Sequence, residues 1–317
     1  MKVRVLYHDH CFDGAASAAY ITRFLESRLS PGAEFRYTGL AHRADQLFED
    51  SLFDGDVNAI VDFKYATHPN VTWWFDHHQS AFLSVQDAEH FRQDTSGQKF
   101  LDPSYRSCTK FISTIVGEKF GFHAPDLEEL VTWADIVDGA MYGSAQEAVE
   151  MQAPAMKLTL VIEGSSGPKL VQRVIHLMQR RSLEEIVAEP DIQAEYSVLH
   201  QKHLRNIELI RKEGSCERGV IFFDLVNDGI EGYNKFIPYY LFPDSAYTVS
   251  VSTSSFRTKV SVGSNPWVKE PLLHNLASIC ERYGGGGHPK VGAISFPIGS
   301  VEDARKAAQE IREELKS

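Results

Sequence analysis

The chain has 317 residues, more than one hydrophobic core ordinarily serves, so two domains are expected. Hydrophobic residues make up 43% and charged residues 24%, a globular balance that excludes a disordered or fibrous protein. With 32 Lys and Arg against 43 Asp and Glu, the formal net charge of −11 argues against coating long nucleic acid. It leaves room for a small phosphorylated ligand held through cations.

The N-terminus reads as a first strand over 3–8 (VRVLYH), not as a leader. A helix over 13–27 begins with small residues, and 33–40 is strand-like, followed by a helical turn around 44–50. Two buried-type strands, 58–63 (NAIVDF) and 71–78 (VTWWFDHH), each end in polar residues. Strands interleaved with helices predict a parallel sheet with helices on both faces, and its functional loops gather at the carboxyl ends of the strands. His8, Asp62 and Asp76-His77-His78 are therefore expected to face one crevice.

Residues 105–120, 126–137 and most of 144–213 have helical character, with a break at 163–169 (EGSSGPK). After Cys216 the chain turns β-rich at 219–225, 246–254 and 258–263. A helix over 272–283 runs into GGGGHP (284–289), then come a strand over 291–297 and a closing amphipathic helix. The expected domains are 1–190, a helical connector over 191–216, and a smaller α/β domain over 217–317. The four cysteines, Cys11, Cys108, Cys216 and Cys280, form no CxxC pair, which fits a reducing cytoplasm. No run approaches the roughly 20 apolar residues of a membrane span, so no membrane partner is expected.

Four clusters can carry chemistry. In HDHCFDG (8–14), Asp13 and Gly14 suit a tight helix start, but that does not account for His8, Asp9, His10 and Cys11 crowding the same turn. Asp62 alone reads as a turn residue or a helix cap. Two adjacent histidines after a buried strand point to different sides, so one can bind a metal while the other faces an anion. Successive glycines before His288 let backbone N–H groups approach an anion closely. Asp135 and Asp138, three apart on a helix, offer further carboxylates. Arg257 is expected in a strand, and over 251–292 five Lys and Arg against two Asp and Glu leave a local 5 − 2 = +3.

In this order these residues resemble the DHH/DHHA1 phosphoesterase superfamily over nearly the whole chain. The resemblance is to compact members acting on short oligoribonucleotides and 3′-phosphoadenosine-5′-phosphate. It implies an N-terminal DHH domain that binds two divalent cations, usually manganese, with magnesium, cobalt or zinc as alternatives. A C-terminal DHHA1 domain would close over it. Carried over by position, His8, Asp13, Asp62, His77 and Asp135 are the metal ligands, with Asp62 bridging. His78, Arg257, Gly285, Gly286, Gly287 and His288 are the substrate-binding residues, and Asp62 and His78 are the catalytic pair. Where members often carry a carboxylate two residues before Asp13, this chain has Cys11, which leaves three alternatives: Asp9 compensates, Cys11 ligates as a thiolate, or one metal site is weakened.

The implied reaction is hydrolysis of short single-stranded RNA or a phosphorylated nucleotide by a hydroxide activated between two metals. Long duplexes are not expected as substrates. An exopolyphosphatase and a cyclic dinucleotide phosphodiesterase are the alternative enzymes, and a catalytically weak nucleotide or metal sensor is the alternative of another class.

Overall fold

The structure is a computed structural model that describes residues 1–29, 31–41, 48–230 and 232–317. It divides into two compact units. Met1–Tyr142 with Gln152–Leu199 forms the first, and Gly143–Met151 with His200–Ser317 forms the second. The division therefore falls inside one helix, Pro190–Glu213, and the short helix Ala145–Glu150 groups with the second unit rather than the first.

The first unit is built on five strands: β1 (Lys2–His8), β2 (Glu34–Leu40), β3 (Val57–Val61), β4 (Val71–Asp76) and β5 (Lys99–Leu101). All pair in parallel, in the order β2-β1-β3-β4-β5. The three central strands are apolar on both sides, as a covered parallel sheet requires. On one face Val3, Val5, Tyr7, Ala59, Val61, Trp73 and Phe75 join the main core. On the other, Leu6, Ile60 and Trp74 pack with Phe53, Phe63, Tyr65 and Ala81.

The helices are unevenly shared between these faces. Phe12–Arg28, Cys108–Phe120, Glu128–Asp138 and Pro168–Met178 contribute to the main core, whereas the second face is covered by loop residues and the helix Val85–Arg92 through Phe91. The helix Phe12–Arg28 is buried over most of its surface because its first turns hold Gly14, Ala15, Ala16, Ser17, Ala18 and Ala19. A Cβ on Gly14 would lie 2.1 Å from the His8 carbonyl oxygen, so only glycine lets this helix start hard against the end of β1. Most of the turn expected around 44–50 lies outside the described residues. Asp50–Leu52 forms a short 3-10 turn.

The second unit carries β6 (Ser215–Glu217), β7 (Val220–Asp224), β8 (Tyr247–Thr253), β9 (Thr258–Ser264), β10 (Gly286–His288) and β11 (Val291–Phe296) in the order β10-β11-β9-β8-β7-β6. Only β7 and β8 pair in parallel. Alternation along β9 sends Val260 and Val262 into a core with the helices Leu276–Glu281 and Val301–Leu315, which leaves Lys259 and Ser261 on the opposite face. The glycine run does not stay a loop. Its second half is β10, paired to β11 through Gly286 with Ala293 and His288 with Val291.

Candidate metal centre and anion pocket

The strand order reverses between β1 and β3, the switch point where open α/β sheets bind ligands beyond their carboxyl ends. His8 ends β1, Asp62 follows β3 and Asp76 ends β4, so the topology alone brings these three together. Asp62 leaves its strand with φ +55°, a left-handed conformation that aspartate tolerates better than most residues. Left-handed backbone outside glycine concentrates at functional sites.

The Asp62 side chain is almost wholly buried and lies between imidazoles. His8 Nδ1 stands 3.4 Å from Oδ2, and His77 Nε2 stands 3.3 Å from Oδ1. His77 Nε2 also faces Asp138 Oδ2 at 3.4 Å and Asp13 Oδ2 at 3.8 Å. Its other nitrogen, Nδ1, lies 3.1 Å from the Tyr105 carbonyl oxygen and donates to it, so in the neutral ring Nε2 carries the lone pair. A lone pair aimed at three carboxylates is the arrangement of a metal ligand with its tautomer fixed from behind.

Asp13 is positioned by the neighbouring helix. Its carboxylate accepts the backbone N–H of Cys108 at 2.7 Å and of Thr109 at 3.0 Å, at the start of Cys108–Phe120, and the Thr109 hydroxyl at 2.6 Å. Asp76 is fully buried and orients the histidine pair. Its Oδ1 accepts from His77 N at 2.9 Å, His78 N at 3.3 Å and His78 Nδ1 at 2.7 Å.

Both carboxylate oxygens of Asp62, Asp76 Oδ2 and His77 Nε2 are buried without an aligned hydrogen bond. Native proteins rarely leave such groups unpaired, and an ion is one standing explanation. The charges agree. Burial pushes the Asp13 carboxyl well above the usual carboxylate range, with the Asp62 and Asp138 charges adding to it. Burial and the Asp62 charge lift Asp138 to about 6. Burial opposes ionisation of Asp62 as well, but its contacts with His77 and His8 override this and hold it at about 2. Burial likewise disfavours a charged His77, yet Asp62 and Asp13 raise it to about 10. Mutual repulsion among buried carboxylates is what bound cations relieve. The residues present therefore fit divalent cations.

Three groups of side chains can each surround an ion: His8, Cys11 and Asp62; Asp62, His77 and His78; and Asp13, His77 and Asp138. Of the expected ligands, His8, Asp13, Asp62 and His77 come together, while Asp135 does not. Its carboxylate accepts from Ser107 Oγ at 3.2 Å and lies 3.9 Å from Arg106 Nη1. Asp138, one turn further along the same helix, reaches the cluster instead. Asp9 turns away, accepting the His10 N–H at 3.0 Å beside Gly39.

In the second unit a pocket of about 480 Å³ is lined by Tyr233, Lys235, Ser254, Arg257, Lys259, Ser261, Gly286 and Gly287 among others. Arg257 sits in the turn entering β9 rather than within the strand, and donates to Ser295 Oγ at 2.8 Å. Burial and the nearby Arg257 charge lower the Lys259 pKa, a cost that a bound anion would offset. Gly286 has open space where a Cβ would be, whereas Gly285 meets the Ala293 carbonyl oxygen at 2.3 Å and serves strand packing. His288 is exposed at the end of β10. Tyr233, Lys235 and Lys259 escape sequence reasoning because no motif marks them. Strand alternation could have flagged Lys259.

No family model and no curated protein matches the sequence. Solved structures do resemble it. The pGpG-specific phosphodiesterase PggH from Vibrio cholerae is similar with a TM-score of 0.71 at 18% identity, over 99% of both chains. RecJ of Thermus thermophilus in complex with Mn2+ matches with a TM-score of 0.56 at 15% identity, over 99% of this chain and 52% of RecJ. The same protein in complex with Mg2+ gives 0.51 at 14% identity, over 99% and 50%. This chain thus spans about half the length of RecJ and the whole of PggH. With its five-stranded parallel sheet, the acids and histidines at its switch point and its separate second sheet, the chain shares the fold of these phosphodiesterase and RecJ structures.

Proposed function

We propose that this chain is a cation-dependent phosphoesterase that hydrolyses short, phosphate-bearing nucleotides: oligoribonucleotides of a few residues, 3′-phosphoadenosine-5′-phosphate, or both. The observation that carries this reading is Asp62, whose two buried carboxylate oxygens accept no aligned hydrogen bond and face His8 on one side and His77 on the other. A single carboxylate so placed suits bridging two cations, with His8 on one side and Asp13, His77 and Asp138 on the other. Paired cations lower the pKa of water and neutralise charge on a phosphate under attack. His78, held by Asp76, is the donor for a phosphate oxygen.

In the second unit Arg257, Lys259 and the open backbone of Gly286, with Gly287 beside it in the pocket lining, suit a phosphate group. The pocket has the size of a small-ligand site, and a chain of net charge −11 offers little to a long polyanion. Likeness over the full length to a phosphodiesterase of pGpG, itself a short nucleotide, favours the same scale. RecJ structures with manganese and magnesium support those ions as candidates.

The test is hydrolysis of di-, tetra- and twenty-residue RNA, 3′-phosphoadenosine-5′-phosphate, cyclic dinucleotides and polyphosphate with manganese, magnesium, cobalt and zinc in parallel. Fastest turnover on the shortest RNA or on the bisphosphate is expected. Preference for the longest strand, for polyphosphate or for a cyclic dinucleotide would overturn the substrate class. Cation and nucleotide binding without product would point to a sensor.

A further inference from the structure

His8, Cys11 and Asp62 each offer one ligand atom, and the three atoms lie within 4.8 Å of one another. In a tetrahedral site, bonds of about 2.3 Å to sulfur and 2.1 Å to nitrogen put those ligands about 3.6 Å apart, so the three would draw in by up to about 1 Å around one ion. The trio Asp13, His77 and Asp138 shares no member with it. Asp62 serves either, since Oδ2 faces His8 while Oδ1 faces His77, and both oxygens are buried and lack hydrogen bonds. The two positions differ in chemistry: one includes sulfur, the other only nitrogen and oxygen.

Cys11 is available for this role. It is the N-cap residue of Phe12–Arg28, its side chain makes no capping hydrogen bond, and it is partly exposed. Sulfur as a ligand favours softer divalent ions.

We infer that Cys11 ligates a cation through its sulfur beside His8 and Asp62, which makes the centre asymmetric. The sulfur-bearing position takes a thiophilic divalent ion such as zinc or cobalt(II), and the Asp13, His77 and Asp138 position takes a harder one such as manganese or magnesium. As the sulfur–cation bond forms, the thiol S–H bond breaks and its proton passes to water, with no change of oxidation state. The inference rests on the two-cation reading of the site.

The test is a cobalt(II) titration of the full chain in a phosphine reductant, followed by near-ultraviolet absorption. A sulfur-to-cobalt charge-transfer band is expected that saturates at one per chain and is lost in Cys11→Ser. It should survive in Cys108→Ser, whose native thiol is engaged with the Phe75 carbonyl at 3.4 Å. In Cys11→Asp the preference for zinc over manganese should fall at least about tenfold. X-ray absorption on the zinc-loaded native chain needs no variant, and one sulfur at about 2.3 Å is expected. Zinc bound by nitrogen and oxygen alone, or a cobalt band that persists in Cys11→Ser, would overturn the inference. A chain with the sulfur signal that cleaves no phosphoester keeps it and sinks the hydrolase reading. Efficient hydrolysis without sulfur ligation does the reverse.

Discussion

Asp76 holds the His78 ring by its Nδ1 at 2.7 Å, through the same oxygen that accepts the backbone amides of His77 and His78. One buried carboxylate thereby sets both the turn and the ring. Removing its charge while keeping its shape, as in Asp76→Asn, should leave the fold intact and lower kcat about 10–100-fold, the usual cost of losing an orienting partner. Circular dichroism alongside steady-state kinetics checks both halves.

Asp62 is a direct ligand in the proposed centre, so its loss should cost more. Asp62→Ala is expected to reduce turnover more than about 100-fold and to weaken cation binding measured by calorimetry. An Asp62→Ala chain with native activity would rule out the bridging role.

The neighbouring pair Asp135 and Asp138 separates by environment. Asp138→Ala should weaken cation binding and turnover by at least about tenfold, whereas Asp135→Ala should alter either less than about threefold. Parallel calorimetric titrations with manganese distinguish the two. Equal losses would contradict the assignment.

Two glycines in one motif should respond in opposite ways. A Cβ at Gly285 would sit 2.3 Å from the Ala293 carbonyl oxygen, so Gly285→Ala should destabilise the chain by about 1–3 kcal/mol in denaturant melts. Gly286 has no atom within 4 Å of the equivalent point and lines the pocket. Gly286→Val should melt like the native chain yet raise KM several-fold.

Cation-free protein should lose stability as pH rises. His77 has its folded pKa raised to about 10, so its contribution is complete below its unfolded value near 6.5 and is lost as pH climbs through about 10. Asp138, raised to about 6, acts in the same direction at lower pH, because its ionisation in the folded state is disfavoured. Asp62, lowered to about 2, matters only in strong acid, where its contribution disappears. Thermal melts in chelator from pH 6 to 10 should show Tm falling, and excess manganese should flatten the profile. A chelated Tm that rises with pH would contradict this charge arrangement.

Much of the first unit was legible because its strands are short apolar runs that end in acids and histidines, and a parallel sheet brings such ends to one edge. The choice between Asp135 and Asp138 was not legible, since residues three apart share a helix face. What separates them is Ser107 and Arg106, which engage the first. The strand β10 was missed because four glycines carry no β-propensity, and only pairing with β11 creates it. The orienting role of Asp76 depends on a turn geometry that no spacing rule encodes.

The groups gathered around Asp62 come from positions as far apart in the chain as His8 and Asp138. In the proposed centre a cation would find its full set of partners only after most of the first unit has condensed, so occupancy would report a completed assembly. Ion supply would then govern persistence as well as chemistry. In a cell depleted of the metal, the chain would spend longer in opened forms within reach of proteases, and its abundance would follow the ion.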